Sequence, residues 1–234
     1  MLNNRLLAIA NEIEKGQTVA DIGTDHGYLP MYLMKENISP KVILADVSKG
    51  SLGKAKRNCK EYMPNTKFDF RIGYGIRVLK REEVDVIVIA GMGGVLISEI
   101  LGKELSKART FKKIIMQPRT AQGRLRHWLI KKGFAIVNEQ LVKEGRFITE
   151  VITAIPGQDT ESMFIDASPD DIRWEVPYWL LDYNNELLGD FIQGKLDREN
   201  RIMTAMQNST NLTDRDKQVV ADNIKYLEDL LKKI

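Results

Sequence analysis

The sequence is poor in the residues that form disulfides and metal centres. Among 234 residues it has one cysteine, Cys59, and two histidines, His26 and His127. A single cysteine cannot form an internal disulfide, and so few histidines offer no His-based metal cluster. We therefore expect a protein that binds no metal.

Long apolar runs are also absent. No stretch approaches the roughly 18 apolar residues that a membrane-spanning helix requires. The amphipathic N-terminus carries Glu12 and Glu14, which is not the pattern of a signal peptide. A content of 43% hydrophobic and 29% charged residues is typical of a soluble globular protein, so we expect a cytoplasmic location and no membrane contact.

The net charge of +3 conceals an uneven distribution. Residues 1–157 contain 26 Lys and Arg against 16 Asp and Glu, a net charge of +10, whereas residues 158–234 contain 9 against 16, a net charge of −7. A basic body favours a polyanionic partner. The alternative is that the two oppositely charged parts attract each other.

Short apolar runs alternate with amphipathic stretches over residues 1–157. Five runs are typical of buried strands: Thr18–Ile22, Val42–Asp46, Phe68–Ile72, Val84–Ala90 and Lys113–Gln117. Helical patterns occupy 27–36, 48–60, 95–107 and 121–132, and an initial helix places Leu2, Leu6, Ile9 and Ile13 on one face. This alternation predicts βαβ units and a doubly wound parallel α/β sheet.

Two further β-rich runs, Phe134–Val142 and Phe147–Ile155, are separated by only four residues, one of them Gly145. So short a link predicts an antiparallel hairpin. A Rossmann-like sheet with a terminal β-hairpin is typical of class I methyltransferases, whereas nucleotide dehydrogenases keep their last strand parallel.

Beyond Gly157 the strand pattern ends and two apolar stripes of helical spacing follow. They comprise Leu188, Ile192, Leu196, Ile202 and Met206, and then Val220, Ile224, Leu227, Leu231 and Ile234. Ser209–Asp216 supplies turn residues between them, with Thr213 as a helix N-cap and Asp216 three residues on. We predict a methyltransferase domain at 1–157 and a C-terminal helical domain at 158–234, a coiled-coil-like antiparallel hairpin.

The segment DIGTDHGYLP, from Asp21 to Pro30, follows the first strand. Its glycines let the backbone approach a ligand closely. A dinucleotide-binding loop would have glycine at Asp25, because a carboxylate repels a pyrophosphate at the helix N-terminus. A sulfonium or an ammonium tolerates this carboxylate, so the loop favours S-adenosylmethionine. His26 could contact substrate or be a structural group of the turn.

The tips of the next strands carry further candidates. Asp46 could accept hydrogen bonds from both ribose hydroxyls or cap the following helix, and we favour the ribose because Ser48 can be the cap. Tyr74 stands where methyltransferases commonly have an acidic residue, and it could stack on adenine or pack as an ordinary aromatic. Three glycines in Gly91–Gly94 leave room for a flat base. The Asn/Asp-Pro-Pro-Tyr tetrapeptide of many amino-group methyltransferases is absent there.

Taken in order, the blocks DIGTDHGYLP, ILADVSKGSL, VIVIAGMGG and IIMQP resemble the TrmK family over residues 1–157. TrmK enzymes are bacterial tRNA methyltransferases that modify N1 of adenine 22, and they end in a coiled-coil-like domain. The resemblance implies S-adenosylmethionine as methyl donor and tRNA as substrate. It implies cofactor contacts at Asp21, Gly23, Asp25, Gly27, Asp46, Val47, Ala90, Gly91 and Met92, and the same loops add Thr24, Tyr28, Gly73 and Tyr74.

Adenine N1 has an exposed lone pair and needs no general base, so placement of the two reactants is the main catalytic requirement. An acceptor near the N6 amine would favour the positive charge that develops on the base. Asp25 or the backbone around Gly91, Met92 and Gly93 could supply it. Asp25 could equally bind the amino group of the cofactor.

A tRNA substrate requires cations for its phosphates and a pocket for an extruded base. The candidate tRNA contacts are Arg5, Lys56, Arg57, Arg119, Arg124 and Arg126. Three other functions stay open: a methyltransferase for a small molecule or protein, a non-catalytic RNA-binding module, and a dinucleotide oxidoreductase.

Overall fold

The computed structural model describes residues 2–157, 166–183, 185–207 and 213–234. Within them, one seven-stranded sheet comprises β1 (Val19–Ile22), β2 (Val42–Asp46), β3 (Asp69–Ile72), β4 (Val86–Met92), β5 (Lys113–Pro118), β6 (Phe134–Glu144) and β7 (Phe147–Pro156). The strand order is β3-β2-β1-β4-β5-β7-β6. The first five strands are parallel, and β7 is antiparallel to both of its neighbours. The α/β sheet and its terminal hairpin are therefore confirmed.

Helices cover both faces of the sheet. They are α1 (Asn4–Asn11), α2 (Tyr28–Lys35), α3 (Lys49–Tyr62), α4 (Gly94–Gly102), α5 (Leu105–Ala108) and α6 (Gln122–Lys131). The helix predicted over 95–107 is divided into α4 and α5, because Glu104 leaves helical geometry with φ of −133°. Alternate residues of β4 enter different cores: Ile87 and Ile89 pack on one face, and Val86 and Val88 on the other. Strands buried on both faces explain the continuous apolar runs.

The C-terminal region contains α7 (Ile172–Glu175), a 3-10 helix (Tyr178–Tyr183), α8 (Leu188–Gln207) and α9 (Asp214–Leu231). The last two are antiparallel, since Asn223 of α9 donates to Glu199 of α8 at 3.0 Å, and a Cβ on Gly189 near the start of α8 would lie 3.6 Å from Ile234. Thr213 and Asp216 form the predicted capping box, whereas 209–212 lie outside the described residues.

The helical region packs on the terminal hairpin. Leu141 of β6 and Ile148 of β7 belong to the same apolar cluster as Ile192 and Leu227. The sequence patterns missed α7 and the 3-10 helix, which are too short to show periodicity. The division into two domains at Gly157 and the coiled coil both stay predictions. Among the described residues, no helix is long and apolar enough to cross a membrane.

Candidate active site

A cavity of about 520 Å³ opens beyond the carboxyl ends of β1 to β4. The strand order reverses between β1 and β4, and open α/β sheets bind ligands at such a switch point. The volume is within the range of small-molecule sites. Twelve of the predicted cofactor residues line it: Asp21, Gly23, Thr24, Asp25, Tyr28, Asp46, Val47, Gly73, Tyr74, Ala90, Gly91 and Met92.

Two predicted site residues, Gly27 and Gly93, are not among the residues that line the cavity. Gly27 has φ of +73°, and a Cβ there would lie 3.2 Å from the Leu44 side chain. Gly93 precedes α4, and a Cβ there would lie 3.0 Å from the Thr120 hydroxyl. Both glycines serve close packing beneath the loops that line the cavity.

Backbone hydrogen bonds tie the loop after β1 to the end of β2. The N–H groups of Gly23 and Thr24 donate to the carbonyl of Ala45 at 2.8 Å and 3.1 Å. Gly23 and Asp25 have φ of +81° and +46°, a left-handed conformation that glycine adopts freely and aspartate tolerates. These hydrogen bonds and φ angles therefore hold the backbone of the loop in a defined turn beside the end of β2.

Asp46 is held at the cavity wall by two backbone groups. Its Oδ1 accepts from the Ser48 N–H at 2.8 Å, and its Oδ2 accepts from the Asp25 N–H at 3.3 Å. The Ser48 side chain caps α3, as predicted, by accepting from the Ser51 N–H. Each carboxylate oxygen of Asp46 keeps a lone pair for a ligand hydroxyl.

Asp21 is 6% exposed and has no ion-pair partner in the described part of the chain. Burial raises the pKa of its carboxyl to about 6, and Asp46 adds to this rise, whereas Thr24 and the positive charge of Arg5 oppose it. A buried carboxylate without an ion-pair partner is costly. A ligand that brings an ammonium to this wall would relieve that cost.

Tyr74 lies at the tip of β3. Its ring packs against the core that contains Ile87 and Ile89, and it also lines the cavity. The Lys103 Nζ lies 4.6 Å from the ring centroid and 3.4 Å from the hydroxyl. The tyrosine is therefore a packed aromatic that also lines the cavity, and its stacking on adenine stays a prediction.

The tip of β4 is held by a side chain that the sequence interpretation missed. Gly91 turns with φ of +78°, and a Cβ there would meet open space. Its N–H donates at 3.1 Å to Gln117, which is 1% exposed. The same Gln117 oxygen accepts from Arg5 at 3.2 Å. The only signal in the sequence was the position of Gln117 at the end of the fifth predicted strand.

An aromatic pair stands at the mouth of the cavity. The rings of His26 and Tyr28 stack with centroids 5.3 Å apart and planes within 5°. Asp25 lies beside them, with its carboxylate oxygens 3.5 Å from His26 and 3.6 Å from Lys54. Flat apolar faces next to a hydrogen-bond acceptor suit a purine base.

The predicted tRNA contacts differ in their availability. Lys56, Arg57 and Arg119 are exposed, and Arg119 also lines the cavity. Arg5 is in the cavity wall, with its Nε 3.2 Å from Glu144. Arg124 forms a bidentate ion pair with Asp170 at 2.5 Å and 2.8 Å, which neutralises part of its attraction for phosphate.

Arg126 was wrongly predicted as a tRNA contact. It is completely buried and binds both Glu139 and Glu150. Burial disfavours its charge, but the two carboxylates outweigh burial and raise its pKa. Its Nη1 also donates to the Trp174 carbonyl at 3.0 Å. The guanidinium is inaccessible to phosphate, and it joins α6 to the hairpin and to the segment that contains α7.

The residues of the cavity fit S-adenosylmethionine. Unpaired Asp21 suits an ammonium, Asp46 suits a ribose diol, and Gly91 leaves open space on the cavity side. The two carboxylates and Asp25 make this wall negative, which suits a cationic ligand and opposes a pyrophosphate.

Known proteins are similar to this chain in sequence and structure. The methyltransferase domain family (Methyltransf_18) matches residues 2–152. The tRNA (adenine(22)-N(1))-methyltransferase of Bacillus subtilis is 35% identical over 156 residues, which cover 67% of this chain and 66% of that protein.

Solved structures extend the similarity to the whole chain. The crystal structure of B. subtilis TrmK aligns with a TM-score of 0.84 and 28% identity over 99% of both chains. Streptococcus pneumoniae Sp1610 in complex with S-adenosyl-L-methionine aligns with a TM-score of 0.78 and 27% identity over 99% of this chain and 100% of that chain. The fold, the composition of the cavity and these relatives agree: the chain belongs to the TrmK family of methyltransferases.

Proposed function

We propose that this protein is an S-adenosylmethionine-dependent tRNA methyltransferase that modifies N1 of adenine 22. The observation that carries the proposal is the cavity at the switch point, with its two buried carboxylates and its aromatic mouth. The names of the B. subtilis relatives support the substrate and position. A tRNA substrate also supports the expected cytoplasmic location.

When bound, S-adenosylmethionine supplies an electrophilic methyl group. In this proposal Asp21 holds the amino group of the cofactor, and Asp46 accepts hydrogen bonds from its ribose. Gly91 keeps the space beside the tip of β4 open for the target base. The protein thereby places the two reactants in line, an effect that contributes up to about 7–11 kcal/mol.

Asp25 is the group we assign to the N6 amine of the adenine. It lines the cavity beside the aromatic pair, and its partners Lys54 and His26 stand at 3.6 Å and 3.5 Å. These distances leave its oxygens available as acceptors. A carboxylate here would stabilise the positive charge that forms on the base as N1 acquires the methyl group.

The test is methylation of unmodified tRNA transcripts with labelled S-adenosylmethionine, followed by mapping of the modified nucleoside. We expect label at N1 of adenine 22 and none in a transcript with guanine at that position. Binding of tRNA should weaken steeply with salt, because phosphate contacts release counterions. Label on a different base, or transfer only to a small molecule or protein, would contradict the proposal.

A further inference from the structure

The terminal hairpin projects beyond the rest of the sheet on the side of the cavity. The last pairing of β5 with β7 joins Met116 to Ile152, whereas β6 and β7 stay paired as far as Glu144 and Phe147. Because β5 ends at Pro118, the hairpin continues for about three residues, or about 10 Å, past its neighbour. Its turn therefore overhangs the carboxyl edge, where the cavity opens.

Contacts at the base of the turn fix its position relative to the cavity. Glu144 Oε1 accepts from Arg5 at 3.2 Å and from Asn3 at 3.3 Å, and both partners line the cavity. Phe147 is paired with Glu144 across the hairpin, so its side chain is on the same face of the ribbon. The turn is thus anchored to the cavity wall.

The end of the turn has an exposed aromatic side chain and an exposed cation. Phe147 is 61% exposed, a large area for an apolar side chain. The Arg146 guanidinium lies 4.9 Å from the centre of its ring and has no carboxylate partner among the described residues. Arg146 is itself exposed. An aromatic face combined with an exposed cation is the chemistry that binds unstacked nucleotides.

We propose that Arg146 and Phe147 form a second RNA contact, which holds a nucleotide next to the one in the cavity. Phe147 stacks on the base and Arg146 binds its phosphate. Two strand spacings, about 10 Å, separate β4 from β7, and the turn lies about 10 Å further along the strand, so about 14 Å separates it from the tip of β4, a distance that two or three nucleotides span. This inference rests on the proposed function. It adds a second site that holds the tRNA beside the extruded adenine.

The experiment compares variants of the hairpin turn (the tip variants) with matched variants near the amino ends of the strands, on the side of the sheet away from the cavity. Phe147→Ala is paired with Tyr62→Ala, since Tyr62 is 65% exposed at the far end of α3. Arg146→Glu is paired with Lys15→Glu, an exposed cation before β1. Steady-state methylation of a tRNA transcript, binding of that transcript at several salt concentrations, and calorimetric titration with S-adenosylmethionine are measured for each protein.

We expect Phe147→Ala to raise the KM for tRNA about tenfold, the loss of one stacked base, with unchanged affinity for S-adenosylmethionine. Arg146→Glu should lower the slope of log affinity against log salt by about one. The two control variants should behave as the wild type.

Three outcomes would overturn the inference. One is tip variants that match their controls while the wild type methylates tRNA. Another is loss of S-adenosylmethionine binding in the tip variants, because the turn would then act through Arg5 on the cavity. The third is a dimer that dissociates on Phe147→Ala, which would make the turn a self-association surface. A wild type that does not methylate tRNA would instead refute the proposed function.

Discussion

Asp21 shows how burial of one residue can prepare a binding site. Its pKa of about 6 in the folded protein exceeds the ordinary value of 3.8. Ionised Asp21 therefore opposes folding, and this cost is fully present above about pH 6 and decreases as the pH falls from about 6 towards the ordinary pKa of 3.8. A ligand ammonium favours the ionised carboxylate, so binding and ionisation support each other.

We predict that affinity for S-adenosylmethionine falls as the pH drops below about 6, approaching about tenfold per pH unit. Asp21→Asn should weaken binding at neutral pH, because asparagine has no charge to pair with the ammonium. It should also remove the pH dependence, because asparagine does not ionise. Calorimetric titrations from about pH 5 to about pH 8 measure both effects. A variant with the same pH profile as the wild type would exclude Asp21 as the titrating group.

The next prediction concerns the proposed role of Asp25 as an acceptor for the N6 amine of the target adenine. Asp25→Ala should lower kcat about tenfold with little change in affinity for S-adenosylmethionine, because it removes an acceptor for the charged base. Asp25→Asn should retain more activity, since asparagine keeps an acceptor oxygen and tolerates the φ of +46°. Full kcat in Asp25→Ala would exclude an essential role. Loss of cofactor affinity would assign the residue to the cofactor amine.

Among the elements, the junction of β4 and α4 positions the cavity most directly. The Gly94 N–H donates to the Thr120 carbonyl at 2.7 Å, and a Cβ at Gly94 would lie 2.4 Å from the Ala121 carbonyl oxygen. Two backbone segments approach each other so closely only because one of them has no side chain. The tip of β4 is thus fixed by the loop after β5.

Gly94→Ala should destabilise the protein by about 1–3 kcal/mol, because the backbone must move to admit a methyl group. It should also weaken S-adenosylmethionine binding through displacement of the β4 tip. Gly194→Ala is the matched control: it lies in α8 with nothing within 4 Å of its Cβ position, and it should stabilise by about 0.5–1 kcal/mol. Urea unfolding measures both, and equal effects would contradict the argument.

At the scale of the whole molecule, a buried polar network connects the sheet to the C-terminal region. Arg126 of α6 binds Glu139 and Glu150 on the hairpin, and Trp179 also donates to Glu139 at 2.9 Å. Glu175 of α7 accepts from Lys195 of α8 at 2.7 Å. These contacts make the helical region continuous with the methyltransferase sheet.

Arg126→Met should lower the free energy of unfolding by about 3–5 kcal/mol, because two buried carboxylates lose their cation. Arg124→Ala removes an ion pair that is mostly exposed and should change stability little. Chemical unfolding followed by circular dichroism provides the comparison. A small effect of Arg126→Met would show that Glu139 and Glu150 are not held by this arginine.

Regular patterns explain how far the sequence could predict this fold. The strands β1 to β5 lie within two residues of their predicted bounds. The strands β1, β2, β4 and β5 were easy to predict because they are apolar runs that are largely buried on both faces. The loop at Asp21–Tyr28 was recognisable because glycines and carboxylates are adjacent in the chain. Gln117 and the projecting hairpin turn were not, since their partners are distant in sequence.

Local features of the sequence determined the order of strands and helices, the terminal hairpin, the caps at Ser48 and Thr213, and the cavity residues contributed by each strand tip. Only the tertiary structure decided what each cation does. Arg126 and Arg119 stand seven residues apart and look alike in the sequence, yet one is buried between two carboxylates and the other is exposed at the cavity. The reason is physical: periodicity depends on neighbours along the chain, whereas the field around a charge depends on groups that folding brings from elsewhere.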